Sequence, residues 1–86
     1  MSRSRLELYL EILGILSQTS PTKLTHIMCK ANINCAILKE YMNFMLRQGL
    51  IEERAGGKRL FYAITQKGIE VLENFQELKQ ILPVIE

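Results

Sequence analysis

The fold is decided by residues 34–68, which read NCAILKEYMNFMLRQ at 34–48 and GLIEERAGGKRLFYAITQKG at 49–68. The first part has the apolar spacing of an amphipathic helix. Its apolar positions are Leu38, Met42, Met45 and Leu46, widened by Ile37, Tyr41 and Phe44. We expect Asn34 to cap this helix by accepting from a free backbone N–H group of the first turn. Gly49 is expected to end it, because glycine takes the left-handed conformation at little cost.

The segment after this helix has the pattern of a β-hairpin. Two short strand-like runs, residues 50–54 and 59–64, flank the turn sequence AGGK at 55–58. Paired glycines supply the positive φ angles that tight hairpin turns require. Thr65 is expected to cap a further helix that starts near Gln66. A helix, a hairpin with a basic tip and another helix form the back half of a winged helix-turn-helix, an α+β fold.

The front half of the chain supplies the other two helices of this fold. We expect Ser4 to cap a first helix over residues 5–17. Ser20 followed by Pro21 predicts the start of a second helix, because a hydroxyl caps it and proline fits the first helical position. This helix reaches about Lys30, and a short turn then joins it to the third helix. Its inward-facing residues are Leu24, Ile27 and Met28, with Ile33 filling the turn.

Size and charge limit the possible functions. The chain has 86 residues, 48% of them hydrophobic, which indicates one small folded domain rather than a disordered tail. Residues 1–67 carry ten Lys and Arg against five Glu, whereas residues 68–86 carry one Lys against four Glu. A basic body of this kind fits a polyanion-binding head. We expect a cytoplasmic location, because the N-terminal residues lack the apolar segment of a secretory signal.

The last helix is expected over residues 66–82 and is assigned to dimerisation. We divide the chain into a winged-helix domain, residues 1–67, and a dimerisation helix, residues 68–86. Apolar positions of this helix extend beyond the body of so small a fold, and exposed apolar surface marks an interface. We expect pairing with the same helix of a second copy as a coiled coil. The assigned residues are Leu72, Phe75, Leu78, Ile81, Leu82 and Ile85.

Three segments carry a resemblance to a known family: residues 38–42 with Leu46, residues 49–51 and residues 62–68. Over roughly residues 5–80 the chain resembles archaeal winged-helix DNA-binding proteins regarded as transcriptional regulators. They include small abundant proteins that form homodimers through a C-terminal antiparallel coiled coil. The resemblance implies that residues 34–47 enter the major groove and that residues 54–59 touch the backbone or the minor groove. It also implies a role in transcription regulation or chromosome organisation.

The candidate contacts with double-stranded DNA come from three places. Wing cations can reach phosphates without being buried, and the N-terminal half of a recognition helix can read bases. The N-terminus of the second helix presents N–H groups suited to a phosphate. The candidates are Thr22, Lys23, Asn34, Cys35, Ala36, Lys39, Asn43, Arg47, Arg54, Lys58 and Arg59. Arg3 and Arg5 fit either a basic arm or an ordinary frayed terminus.

Catalysis, metals and cofactors find no support in the sequence. Glu52 and Glu53 are adjacent in a strand and point to opposite faces. The two cysteines, Cys29 and Cys35, are expected to be reduced thiols, and the lone His26 lacks further ligands for zinc. An enzyme is therefore not expected. The alternative to DNA binding is a winged-helix adaptor for protein–protein interaction, which would suit the modest net charge of +2 and the acidic last helix.

Overall fold

A computed structural model describes residues 3–82, in which four helices surround a three-stranded antiparallel sheet. The elements are α1 (Arg5–Gln18), β1 (Thr22–Lys23), α2 (Leu24–Ala31), α3 (Cys35–Arg47), β2 (Ile51–Gly56), β3 (Arg59–Ile64) and α4 (Gln66–Ile81). The strand order β1-β3-β2 places the return strand of the hairpin in the centre of the sheet. The predicted winged helix-turn-helix architecture is confirmed.

The core forms where the apolar stripes of all four helices meet the sheet. Its buried members are Leu8, Ile12, Leu13, Leu16, Ile27, Leu38, Met42, Met45, Ile51, Tyr62 and Leu72. Leu24, Met28 and Ile33 pack against this cluster, as the spacing of the second helix predicts. Removing these side chains from water supplies most of the driving force for folding.

Three helix starts are made by the capping residues that the sequence indicates. The Ser4 hydroxyl accepts from the Glu7 N–H, and the Glu7 carboxylate accepts from the Ser4 N–H, which completes a capping box. Asn34 caps α3, and Thr65 caps α4 by accepting from the Gly68 N–H. These caps satisfy backbone donors that a helix cannot satisfy internally.

The predicted start of the second helix at Pro21 is wrong. The helix begins at Leu24, and Thr22 and Lys23 instead form β1, where they pair with Tyr62 and Phe61 of β3. This pairing gives backbone partners to the second edge of β3, which would otherwise be an open strand edge. The capping signal in Ser-Pro is therefore outweighed by a sheet contact from a distant part of the chain.

The hairpin turn is tighter than the predicted four residues. Gly56 belongs to β2 and pairs with Arg59, so the turn is Gly57 and Lys58. Only Gly57 of the glycine pair has a positive φ, at 66°. Gly56 makes room instead, because a Cβ there would lie 2.7 Å from the Phe61 ring.

Deeper in the hairpin, the pKa of the Tyr62 hydroxyl is raised. Burial is the larger cause, and the negative charge of the nearby Glu53 adds to it.

The first half of α4 belongs to the domain, and its second half is exposed. Leu72 is 8% exposed and lies in the core of its own chain, which leaves little of the side chain for the predicted dimer contact. Leu78, Ile81 and Leu82 are 44%, 67% and 48% exposed. The predicted contact Ile85 lies outside the described residues. Within residues 3–82, every helix falls short of the length and apolar character needed to cross a membrane.

Candidate nucleic-acid interface

The outer face of α3 is polar and free of core contacts. The buried residues Leu38, Met42 and Met45 define its inner side. Four exposed residues lie on the opposite side. Their spacings of four, three and four place them in one line along a helix of 3.6 residues per turn. We call this set, with Lys39 on its flank, the outer face: Ala36, Lys39, Glu40, Asn43 and Arg47. It combines one small residue, one amide and three charges.

Two of the predicted contacts at the start of α3 are already partly engaged. The side-chain oxygen of Asn34 accepts from the Ile37 N–H at 2.9 Å, so its amide nitrogen is the group left for another partner. Cys35 is half-buried in the first turn, which leaves it less surface for DNA than an exposed residue would have. The part of α3 open to a base edge therefore starts at Ala36.

The wing carries cations of two kinds. Lys58 and Arg59 are exposed, and neither forms a salt bridge with any residue in the described range. Arg54 instead donates from Nε to the Glu52 carboxylate at 2.9 Å. An exposed ion pair of this kind contributes only about 0–1 kcal/mol, so a phosphate can compete for Arg54.

The beginning of α2 differs from the predicted phosphate site. Thr22 is 5% exposed and its hydroxyl donates to Thr19 Oγ1 at 3.2 Å, which leaves little of the side chain for the predicted DNA contact. Lys23 is half-buried at the N-cap position of α2 and makes no side-chain cap. The first N–H groups of α2 therefore have no side-chain partner at the cap, and they lie three residues later than the sequence predicts.

The outer face is joined to the wing and to α4 by a hydrogen-bonded junction. Gly49 ends α3 with a φ of 74°, and the next N–H, from Leu50, donates to the Met45 carbonyl. The Thr65 hydroxyl donates to the Gly49 carbonyl at 2.6 Å, and Lys67 Nζ donates to the Gln48 carbonyl at 2.7 Å. Lys67 is thereby used to cap α3, and the starts of β2 and α4 are held against its end.

Sequence reasoning left Arg5 undecided, and the structure places it beside the outer face. A groove between α1 and α3 is lined by Arg5, Tyr9, Glu40, Asn43, Phe44 and Arg47, together with Tyr41. The available signal was the position of Arg5 one helical turn before Tyr9, whose ring packs on α3. Arg3, by contrast, is bound to Glu11 and to the Asn32 carbonyl.

Clusters of metal ligands are absent from the part of the chain that the structure describes. No three residues among its His, Cys, Asp and Glu are grouped to hold a metal ion. Cys29 is exposed and Cys35 half-buried, both as free thiols. The features that stand out in residues 3–82 are therefore an outer face, a basic wing and an exposed apolar helix.

The chain belongs to the winged helix-turn-helix family, whose model matches residues 2–82. Among similar solved structures is Sso10a-2, a DNA-binding protein from Sulfolobus solfataricus: 24% identity, TM-score 0.77, covering 92% of this chain and 81% of that one. A possible HxlR family transcriptional factor from Thermoplasma volcanium has 26% identity and a TM-score of 0.74, with coverage of 95% and 81%.

A further similar structure is the homodimeric winged helix-turn-helix DNA-binding domain of Mb0332 from Mycobacterium bovis, a possible ArsR-family regulator. It shares 22% identity and has a TM-score of 0.73 over 85% of this chain and 68% of that one. No curated protein matches this chain. The family predicted from the residues is confirmed.

Proposed function

We propose that this protein is a homodimeric double-stranded DNA-binding protein that acts in transcription regulation or chromosome organisation. The observation that carries the proposal is a set of exposed cations on α3 and the wing without salt-bridge partners in the described range: Lys39, Arg47, Lys58 and Arg59. Exposed cations on a recognition helix and a hairpin fit a polyanion, because each one that meets a phosphate releases a counterion. The DNA-binding proteins among the similar structures support the same function.

In the proposed complex the outer face of α3 enters the major groove. Asn43 is suited to pair with adenine, and small Ala36 permits close approach or contact with a thymine methyl group. Lys39 is assigned to a phosphate, and Glu40 on the same face lowers the total attraction. With few base-reading groups, the protein is expected to bind DNA with moderate or low sequence specificity.

The wing and the start of α2 are assigned to the DNA backbone. Lys58 and Arg59 lie at the end of the hairpin, where long side chains can follow phosphates while staying solvated. Arg54 joins them by exchanging Glu52 for a phosphate. Lys23, with the free N–H groups at the start of α2, supplies a further phosphate contact.

A second copy of the chain is assigned to the exposed side of α4. Val71, Phe75, Leu78 and Leu82 recur at spacings of four, three and four, which is the seam of a coiled coil. Three of them are exposed and Phe75 is half-buried, so the seam has no full partner within residues 3–82. Ile85 continues the spacing in the sequence, whereas Leu72 and Ile81 fall off this line. We propose this seam as the homodimer contact that sets the distance between two DNA-binding heads.

The test of DNA binding is fluorescence anisotropy with a labelled duplex over a range of salt concentrations. Log affinity should fall linearly with log salt, by about 0.9 for each phosphate contacted. The Lys58→Glu/Arg59→Glu variant should bind at least about a hundredfold more weakly at low salt, because attraction becomes repulsion on both heads.

A matched control separates the wing from net charge. Lys30→Glu reverses one exposed cation near the end of α2, away from the outer face, and should weaken binding far less than Lys58→Glu. Equal effects would refute the wing contact. Absence of binding at low salt, or a flat salt response, would refute DNA binding and leave the protein-interaction adaptor as the function to test.

A further inference from the structure

We propose that Arg5 and Arg47 form an additional phosphate-contact site where α1 meets α3, so that α1 is part of the DNA-binding surface. This inference rests on the proposed DNA-binding function. The two arginines line one groove with Glu40 and Asn43 of the outer face. The groove therefore borders the surface that is proposed to meet the duplex.

The first turn of α1 is held in place over α3. Ser4 and Glu7 form the capping box that starts α1, which fixes Arg5 as its first helical residue. One turn later the Tyr9 ring packs on α3, with its centroid 4.7 Å from that of Tyr41 and 5.2 Å from that of Phe44. Arg5 thus projects from a packed helix end rather than from a loose terminus.

Arg5 is available for a partner in a way that Arg3 is not. The Arg3 guanidinium is bound to the Glu11 carboxylate at 2.7 and 2.8 Å and to the Asn32 carbonyl at 3.2 Å. Arg5 and Arg47 are exposed, and neither has a hydrogen bond or salt bridge from its side chain within residues 3–82. Arg3 therefore ties α1 to the helix-turn-helix, whereas Arg5, two residues later, remains free to bind a partner.

The charges of the groove favour a phosphodiester. Two guanidinium groups and the single carboxylate of Glu40 leave one net positive charge. Arginine binds phosphate oxygens through parallel N–H donors, which suits a backbone phosphate passing across an open groove. The aromatic side of the groove supplies an apolar floor on which the arginine stems can lie.

The site also completes the contact around α3. At about 100° per residue, Lys39 and Phe44 are about 140° apart around the helix axis. Lys39 therefore serves one flank of the recognition helix, and the groove that contains Phe44 serves the other. A helix in the major groove has a phosphate strand on each flank, so each strand meets a cation.

The test compares Arg5→Ala with Arg3→Ala and Arg5→Lys in salt titrations with random and sequence-selected duplexes. Arg5→Ala should weaken binding to all duplexes alike and reduce the steepness of the salt dependence by about 0.9 for each head. When the salt concentration rises from 50 to 200 mM, the affinity of the variant should therefore fall by a factor that is about threefold to fourfold smaller, for each head, than the factor for the wild type. Arg5→Lys should restore the slope, and Arg3→Ala should leave it unchanged.

The outcomes separate this site from the proposed function. If Arg5→Ala keeps the wild-type slope while Lys58→Glu/Arg59→Glu lowers it, the α1 site is refuted and DNA binding through the wing stands. An effect of Arg5→Ala on selected sequences only would also refute it, because a phosphate contact carries no sequence information. If the wild type fails to bind at low salt, both proposals fall. Thermal melts establish that each variant is folded.

Discussion

The outer face with the wing and the second half of α4 are both exposed, yet they expose opposite chemistry. The first surface shows cations, whereas residues 75–82 show apolar side chains, of which Leu78 is 44% and Leu82 48% exposed. Exposed cations are well solvated and need no partner for stability. Exposed leucines forfeit hydrophobic stabilisation of about 1.5–3 kcal/mol each when fully uncovered.

This difference indicates two kinds of partner. A cationic surface gains by meeting a polyanion, because the neutralised phosphates release their counterions, and its binding is therefore salt-dependent. An apolar seam gains by leaving water, so its partner must be apolar and its association persists in salt. Under the proposed function, DNA binding and dimerisation therefore use two separate surfaces of one small fold.

The largest expected effect concerns the apolar surface of α4. Leu78→Glu/Leu82→Glu should convert a dimer to a monomer, because four half-exposed leucines in the pair lose about 4 kcal/mol of burial, or about a thousandfold in Kd. Light scattering over a concentration series measures this. Ile81→Glu is the matched control and should remain a dimer, since Ile81 is exposed but off the seam. A monomeric wild type would refute the seam.

The next effect tests the junction that holds the two surfaces together. Gly68→Ala should lower the free energy of unfolding by about 1–3 kcal/mol. The added methyl would overlap the Leu50 carbonyl oxygen and lie 2.7 Å from Ile64 Cγ1. That carbonyl accepts from the Thr65 N–H at 3.1 Å, so it cannot move aside freely.

A second glycine provides the control for this prediction. Gly14→Ala, in α1, meets no atom within 4 Å and should stabilise the chain by about 0.5–1 kcal/mol, because alanine favours helix. Urea denaturation measures both variants. Similar behaviour of the two would contradict a crowded junction at Gly68.

The smallest effect concerns Glu7, which completes the capping box of α1 and lines a groove with Phe75 and Lys79 of α4. Hydrogen bonds with the backbone and side chain of Ser4 lower the pKa of Glu7 below its ordinary 4.5, with smaller contributions from Lys79 and Arg3. The ionised carboxylate therefore stabilises the fold above pH 4.5, and this contribution is lost as the pH falls through the lowered pKa.

Glu7→Gln removes this titration while keeping an acceptor for the cap. The melting temperature of the variant should lie slightly below that of the wild type at pH 7, and the difference should narrow as the pH falls below 4.5. Thermal melts across this range are the measurement. A difference that is constant with pH would contradict the role of the charge.

Much of the fold could be predicted because its signals are local. The caps at Ser4, Asn34 and Thr65 depend on backbone groups within three residues, and Gly49 marks the end of α3 by its positive φ. Such signals act before any tertiary contact forms. They placed α1, α3 and α4 within one residue of their observed bounds.

The errors arose where contacts between distant parts of the chain determine the structure. β1 exists because Thr22 meets Tyr62, forty residues away, and a two-residue strand has no periodic signal. The choice between Leu72 and Val71 for the seam depends on which side of α4 packs against α1 and β3. The hydrogen bond from Arg3 to the Asn32 carbonyl also forms only in the folded chain. The contrast between Arg3 and Arg5 therefore could not be predicted from the sequence.

The most direct measurement of the central claim is an NMR titration of the labelled protein with a short duplex at low salt. We predict the largest amide shifts in residues 36–47 and 57–59, smaller ones near Arg5, and none that grow with DNA in residues 75–82. Shifts concentrated in residues 75–82, with α3 and the wing unchanged, would contradict the assignment of the cationic surface to DNA.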